Sequence, residues 1–291
     1  MTIKGTIIAH DEHARTITVK TQARHVHIYL QRAMHTMHEK YLAKGVFIAA
    51  RIHADNGKRK ARRYTLSEML TLRRPRARRH HTLYSYRRVK NETRTFINSL
   101  ENKLFLDFEM SMHPYTKNPK FTQELIQIGY LLEDKHGNII DKYSAYIRPT
   151  RHKKLSKRTI KFLSLTQAEV DEGLDYHDFY THFKTVLQTY QPAIIVWGKN
   201  DALALRDSYR INKVKSLSKL TRFVNLLKIH KNYFNFKNDL GLKKAFEMYG
   251  NSLEEHQRHD AYEDAWMTKR VFDGFKTYLN DPVPTKIDIP K

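Results

Sequence analysis

The 291-residue chain has no cysteine, so no disulfide framework can hold it together. It has no apolar run of 18 residues and no apolar segment of signal-peptide length near Met1, which predicts a cytoplasmic protein with no membrane partner. No internal repeat or low-complexity array is visible. Acid is also scarce: 30 Asp and Glu stand against 53 Lys and Arg, for a formal charge of +23. The imbalance is concentrated, because residues 1–100 hold 22 Lys and Arg against 6 Asp and Glu, a balance of +16, leaving +7 for the rest. A region that basic attracts polyanions by counterion release. Its densest part is Arg73-Arg74-Pro75-Arg76-Ala77-Arg78-Arg79, followed by Tyr84, Tyr86, Arg87 and Arg88, where aromatic faces suit stacking on single-stranded bases. A solvated linker explains the same run as a plain surface feature.

The few acids are not scattered evenly. Leu104-Phe105-Leu106-Asp107-Phe108-Glu109 is an apolar run with two carboxylates two positions apart. On a strand they share one face, about 7 Å apart at a rise of about 3.3 Å per residue. That separation lets them flank hard divalent cations, although an exposed strand edge with two solvated acids fits the pattern taken alone. Farther on, Asp260 followed by Glu263 reads as a helix start of the capping-box kind, with Ala261, Ala265, Thr268, Phe272 and Phe275 on one helical face. His259 precedes that helix and Asp264 lies about one turn into it. A third candidate is Asp201, which follows the buried-strand run Ala193 to Trp197 and the breaker Gly198. It sits where α/β sheets place ligands, and it also suits a plain N-cap for the following helix.

In order and spacing these positions resemble the DEDD superfamily of 3′-5′ exonucleases, in the histidine (DEDDh) subgroup. Asp107 and Glu109 match the first motif and Asp201 the second. His259-Asp260-Ala261-Tyr262-Glu263-Asp264-Ala265 matches the third, His-Asp-Ala-x-x-Asp-Ala, without a change. Gln123 to Gly129 is similar to that domain's second strand and Thr166 to Val170 to the segment after its third. The Trp197-Gly198-x-x-Asp201 form resembles the exoribonuclease branch related to the enhanced-RNA-interference nucleases, while Met110 stands where most members carry threonine. The resemblance covers roughly residues 103 to 279.

The resemblance implies an α/β fold, an RNase H-like mixed sheet flanked by helices. It implies a 3′-5′ exonuclease releasing 5′-mononucleotides from a single strand, with RNA favoured over DNA. The alternatives are a DNA 3′-end exonuclease in repair or proofreading, and a regulatory member that binds other proteins. Asp107, Glu109, Asp201 and Asp264 are then the metal ligands and His259 the general base. Phe108, Met110, Trp197 and Asn200 are expected nucleic-acid contacts, with Arg73, Arg74, Arg76, Arg78 and Arg79 adding a basic track. The chemistry agrees: two cations about 3.5–4 Å apart supply the nucleophile, stabilise the anionic transition state and help the leaving oxygen. Four carboxylates neutralise two such cations, Mg²⁺ or Mn²⁺ by their all-oxygen ligation. Zinc fits less well, since cysteine is absent and the site has no histidine pair at ligand spacing.

The expected organisation is a basic module over 1–72, an Arg-rich linker over 73–102, the exonuclease domain over 103–280 and a tail over 281–291. Before residue 73, a first strand around Gly5 to Ala9 is followed by alternation at Ile17 and Val19 and at Val26, Ile28 and Leu30. A helical pattern spans Gln31 to Ala43, Val46 to Ile52 is strand-like, and Asn56-Gly57 marks a turn into Lys60 to Leu66. Three strands, a helix and two strands suit a small OB-like barrel that binds single-stranded nucleic acid. In the exonuclease region, strands are expected at 104–110, 125–132, 143–147, 193–197 and 223–227.

Overall fold

A computed structural model of the protein describes residues 1–55, 63–75, 80–116, 121–236, 238–252 and 259–281. The chain divides into two compact units, one of residues 1–95 with 231–238 and the other of residues 96–230 with 239–291. Among the described residues, no helix is long and apolar enough to cross a membrane.

The first unit contains β1 (Thr2–Asp11), β2 (Thr16–Lys20), β3 (His25–Tyr29), helix α1 (Arg32–His38), β4 (Phe47–Asp55), β5 (Arg63–Pro75) and β6 (His80–Ser85). Strand order is β3-β2-β1-β4-β5-β6, and β3 also pairs with β5 in parallel, Ile28 opposite Tyr64, which closes five strands on themselves. The alternation in the sequence explains the inside: Ile17, Val19, Val26 and Ile28 are fully or almost fully buried, while Lys20, His25 and His27 are exposed. Fully burying a Val or Ile contributes about 1.5–3 kcal/mol, and this stripe joins Ile7, Leu30, Ile48 and Leu72 in one core.

Several expectations need correction here. The stretch 73–102, read as a linker, carries the end of β5, all of β6 and helix α2 (Tyr86–Asn98). Its order was hidden because β6 has only Leu83 and Tyr84 as apolar residues and α2 only Tyr86, Val89, Phe96 and Ile97, among many cations. Residues 231–238 belong to the first unit although they lie inside the stretch read as the exonuclease domain. The expected turn at Asn56-Gly57 and nearly all of the tail lie outside the described residues.

The second unit is built on a five-stranded mixed sheet in the order β11-β10-β7-β8-β9. Its strands are β7 (Lys103–Met110), β8 (Leu125–Glu133), β9 (Ile139–Tyr146), β10 (Ala193–Val196) and β11 (Arg222–Asn225). Strand β8 runs antiparallel to both β7 and β9, whereas β10 runs parallel to β7 and to β11. Central β7 therefore has both faces covered. Leu104, Leu106 and Phe108 pack with Phe179, Phe183 and Leu187 of helix α5 (Tyr176–Tyr190). On the opposite face Phe105 meets Phe272 of helix α9 (Ala261–Asn280) edge-on at 5.3 Å. The same alternation that turns Phe108 toward α5 turns Asp107 and Glu109 toward α9. Helix α9 is further fastened by an almost dry ion cluster, in which Glu133 accepts Lys103 at 3.0 Å and Lys269 at 2.8 Å.

Candidate active site

Three elements, β7, α6 and α9 with the residues just before it, bring the candidate residues together. Strand β7 supplies Asp107 and Glu109, which lie opposite Gly129 and Gln127 of β8. Asp201 comes from helix α6 (Asn200–Ile211), where it lies in the first turn rather than at the cap, which is Lys199. Only 5 % exposed, it accepts the backbone N–H of Phe108 at 3.1 Å and so links α6 to β7 between the two β7 acids. Gly198 makes this approach possible, since its φ of 122° is closed to side chains with a Cβ. Asp264 extends from the first turn of α9, and His259 precedes the helix. One ligand atom each from Glu109, His259 and Asp264 lies within 4.8 Å of the others.

Residues that carry no chemistry of their own hold this arrangement. Asp260 caps α9 by accepting the N–H groups of Tyr262 and Glu263 at 3.0 and 3.1 Å. Its other carboxylate oxygen accepts Gln127 Nε2 at 2.6 Å, and Gln127 Oε1 accepts the N–H of Ala261. The start of α9 is thus pinned to the strand beside Glu109. Gly129 lets it come so close, because a Cβ there would collide with the backbone of Ala261 and Tyr262. The His259 ring stacks on Phe162 of helix α3 (Lys157–Leu163), with centroids 4.5 Å apart and planes 13° apart. Sequence reasoning missed Phe162 and the Gln127-Asp260 pair as site components. Gln127 stood within the strand that carried the family resemblance, but its partner lies 133 residues away.

The electrostatics are those of too much negative charge in too little water. Burial first, and then the charges of Asp201, Asp264, Glu109 and Asp260, hold Asp107 well above the usual carboxylate range. Glu109 is pushed up to about 8 by burial and then by Asp264, Asp201 and Asp260. Asp201 rises to about 6 through burial, against the lowering hydrogen bond from Phe108. Asp264 also rises to about 6 through burial, opposed by the Lys243 ammonium. His259 is lowered, by burial and then by Lys243, so its imidazole is neutral near pH 7. Clustered, buried carboxylates that raise one another's pKa suit hard divalent metal ions, whose binding removes their mutual repulsion.

The expected nucleic-acid contacts fare unevenly. Phe108 must be corrected: its side chain is 2 % exposed and packs edge-on to Phe179 and Phe183, because it alternates with the acids. Met110 lies half-buried at the rim of the same core. Trp197 is half-buried and gives its indole N–H to the Leu240 carbonyl at 3.0 Å. Asn200 is exposed at the start of α6. Arg73 and Arg74 are exposed on β5, whereas Arg76, Arg78 and Arg79 lie outside the described residues.

Comparison with known proteins gives a family. Residues 104–272 match the RNase_T family model, described as an exonuclease. A protein of Bacillus subtilis (strain 168) named "Probable 3′-5′ exonuclease KapD" is 31 % identical over 188 residues, covering 63 % of this chain and 90 % of that one. Among solved structures, the nuclease domain of 3′hExo, a DEDDh member bound to rAMP, matches with a TM-score of 0.55 and 19 % identity, over 66 % of this chain and 98 % of that one. Cell-death related nuclease 4 matches with a TM-score of 0.52 and 20 % identity, over 62 % of this chain and 64 % of that one. A family match over more than half of the chain, together with a relative spanned almost end to end, makes this chain a member of the exonuclease family, a hydrolytic 3′-5′ exonuclease.

Proposed function

We propose that the protein removes 5′-mononucleotides from the 3′ end of single-stranded RNA. The observation that carries the reading is the meeting of Glu109, His259 and Asp264 within 4.8 Å beside buried Asp201. Asp107, Glu109, Asp201 and Asp264 are the residues to hold two divalent cations, Mg²⁺ or Mn²⁺. When bound, such cations lower the pKa of water and neutralise charge on the reacting phosphate. His259, neutral near pH 7, accepts the proton of the attacking water as general base. Phe162 keeps the imidazole plane fixed, and the Asp260-Gln127 pair keeps His259 and Asp264 at a constant distance from β7.

The preference for RNA is supported by the Trp197-Gly198-x-x-Asp201 form and by a protein of the same fold whose structure is described as recognising the 3′ end of histone mRNA stem-loop. The first unit is read as a small OB-like barrel that holds the strand. Support comes from its closure, with a helix between β3 and β4 and parallel pairing of β3 with β5, and from the +16 balance of residues 1–100.

The test is hydrolysis of 3′-labelled RNA and DNA oligomers of identical sequence, with Mg²⁺ and with chelator. Faster release of labelled mononucleotide from RNA, abolished by chelator, is the expected result. Faster release from DNA would favour the repair or proofreading alternative. No release from either would leave the regulatory, protein-binding alternative.

A further inference from the structure

The first unit contains a cavity of about 210 Å³ between α1, strands β4 and β5 and the residues Asn235 and Phe236. Its floor is apolar and soft: Met34, Met37, Leu66 and Phe236. Its polar residues are Gln31, His53, Ser67 and Asn235, and no Asp or Glu lines it among the described residues. The wall that Asn235 and Phe236 form is held in place through Tyr233, Phe234 and Asn235. Lys90 Nζ sits 3.2 Å from the centre of the Tyr233 ring and 5.5 Å from that of Phe234. Asn235, with φ at 58°, donates its Nδ2 to the Ser67 carbonyl. Four separate stretches of chain therefore converge on one hollow in the most basic part of the molecule.

Size and chemistry narrow the occupant. Sites for drug-sized ligands run from about 300 Å³ upward, so this volume suits a single planar ring system. Methionine sulfur and a phenyl ring are good surfaces for an aromatic face. The side chains of Gln31 and His53 make no hydrogen bond among the described residues, which leaves an amide and an imidazole to meet the edge of a ring. Bases of single-stranded nucleic acid are recognised through this combination of stacking and edge hydrogen bonds. The absence of acid in the lining suits a ligand whose backbone carries phosphate.

We infer that this cavity takes one unstacked base of the single strand on which the protein acts. The inference rests on the reading of the first unit as a strand-binding module. It adds a defined place on that module for one base of the strand.

The test uses the full chain in chelator, so that strands are bound but not cut. A series of single-stranded RNA oligomers carries one 2-aminopurine, moved along the strand, and a matching series carries one abasic nucleotide. The parent should quench or enhance the fluorophore at one preferred position, and an abasic nucleotide there should weaken binding. Ala33→Trp, at a half-buried position of α1 that lines the hollow, should fill it, remove that signal and weaken binding about 5- to 150-fold, the range for loss of one stacked base. Gln31→Ala with His53→Ala should weaken binding in the same direction without filling the cavity. Both variants should melt as the parent does and release mononucleotide from a dinucleotide at the parent rate in Mg²⁺. Parent-like binding by both variants, or equal affinity for abasic strands at every position, would overturn the base pocket alone. Failure of the parent to bind any single strand would overturn the reading of the first unit and the pocket with it.

Discussion

Four carboxyl groups gathered by β7, α6 and α9 each prefer to keep a proton, and this preference has a consequence for stability. A carboxyl whose folded pKa lies above its unfolded value binds more protons when folded, so its penalty is absent at low pH and grows as pH rises past about 4. With Glu109 at about 8 and Asp201 and Asp264 at about 6, the metal-free protein should lose stability across pH 4 to 8. Thermal melts in chelator should show that fall, and Mg²⁺ should raise the midpoint more at pH 8 than at pH 5. Asp107→Asn should flatten the slope in chelator while lowering turnover by about 10²-fold or more, since a lost ligand misplaces the reacting groups. A variant as fast as the parent in Mg²⁺ would remove Asp107 from the metal set. His259→Ala should lose about 10² to 10⁴ in rate with little change in substrate affinity. The parent rate should fall as pH drops through the titration of His259, which lies below its ordinary value. If the alanine variant keeps that acid limb, another group takes the proton.

Among elements, α9 carries the most function, and its position depends on small details of β8. Gly129 and Gln127 lie opposite Asp107 and Glu109, so whatever moves the start of α9 moves His259 and Asp264 away from both acids. Gly129→Ala should therefore cost activity steeply, about 10²-fold for a displacement near 1 Å, even if the protein still folds. Comparing its turnover with that of Gly137→Ala, at a turn where a Cβ meets nothing within 4 Å, separates displacement of α9 from general damage; equal losses in both would sink the argument. The other end of the same contact is the Lys103-Glu133-Lys269 cluster. Glu133→Gln would leave buried ammonium charge poorly matched, at a cost of about 3–5 kcal/mol for a broken buried pair, measurable by urea denaturation. At this scale the sequence was informative wherever a local rule governed the outcome. The two-residue spacing of Asp107 and Glu109 set their common face, and Asp260 announced the helix that carries Asp264. The same alternation rule, applied to Phe108, already turned it away from the acids, and the structure puts it in the core. What local pattern cannot carry is partnership across the chain: Gln127 with Asp260, Phe162 with His259, and Asp201 with the backbone of Phe108 depend on packing between elements far apart in sequence.

For the whole molecule the governing quantity is the uneven charge. Reading order from composition failed in 73–102, where arginine-rich sequence contains β6 and α2. It failed again at 231–238, where nothing in the local pattern of α7 (Leu226–Phe234) indicates that its end belongs to another compact unit. Composition nevertheless bears on partners, because counterion release depends on how many cations meet phosphate and not on the fold that carries them. On a single strand each such contact steepens the fall of log-affinity with log salt by about 0.7. Arg73 and Arg74 are exposed on β5 and pair with no acid among the described residues, so Arg73→Ala with Arg74→Ala should lower that slope by up to about 1.4. Adding Arg76→Ala, Arg78→Ala and Arg79→Ala should lower it further. Mononucleotide release from a dinucleotide should stay at the parent rate throughout, because none of these residues belongs to the catalytic set. The measurement is binding of a long single strand in chelator across a range of salt. A slope that stays at the parent value in the five-residue variant would mean that the arginines meet something other than the strand.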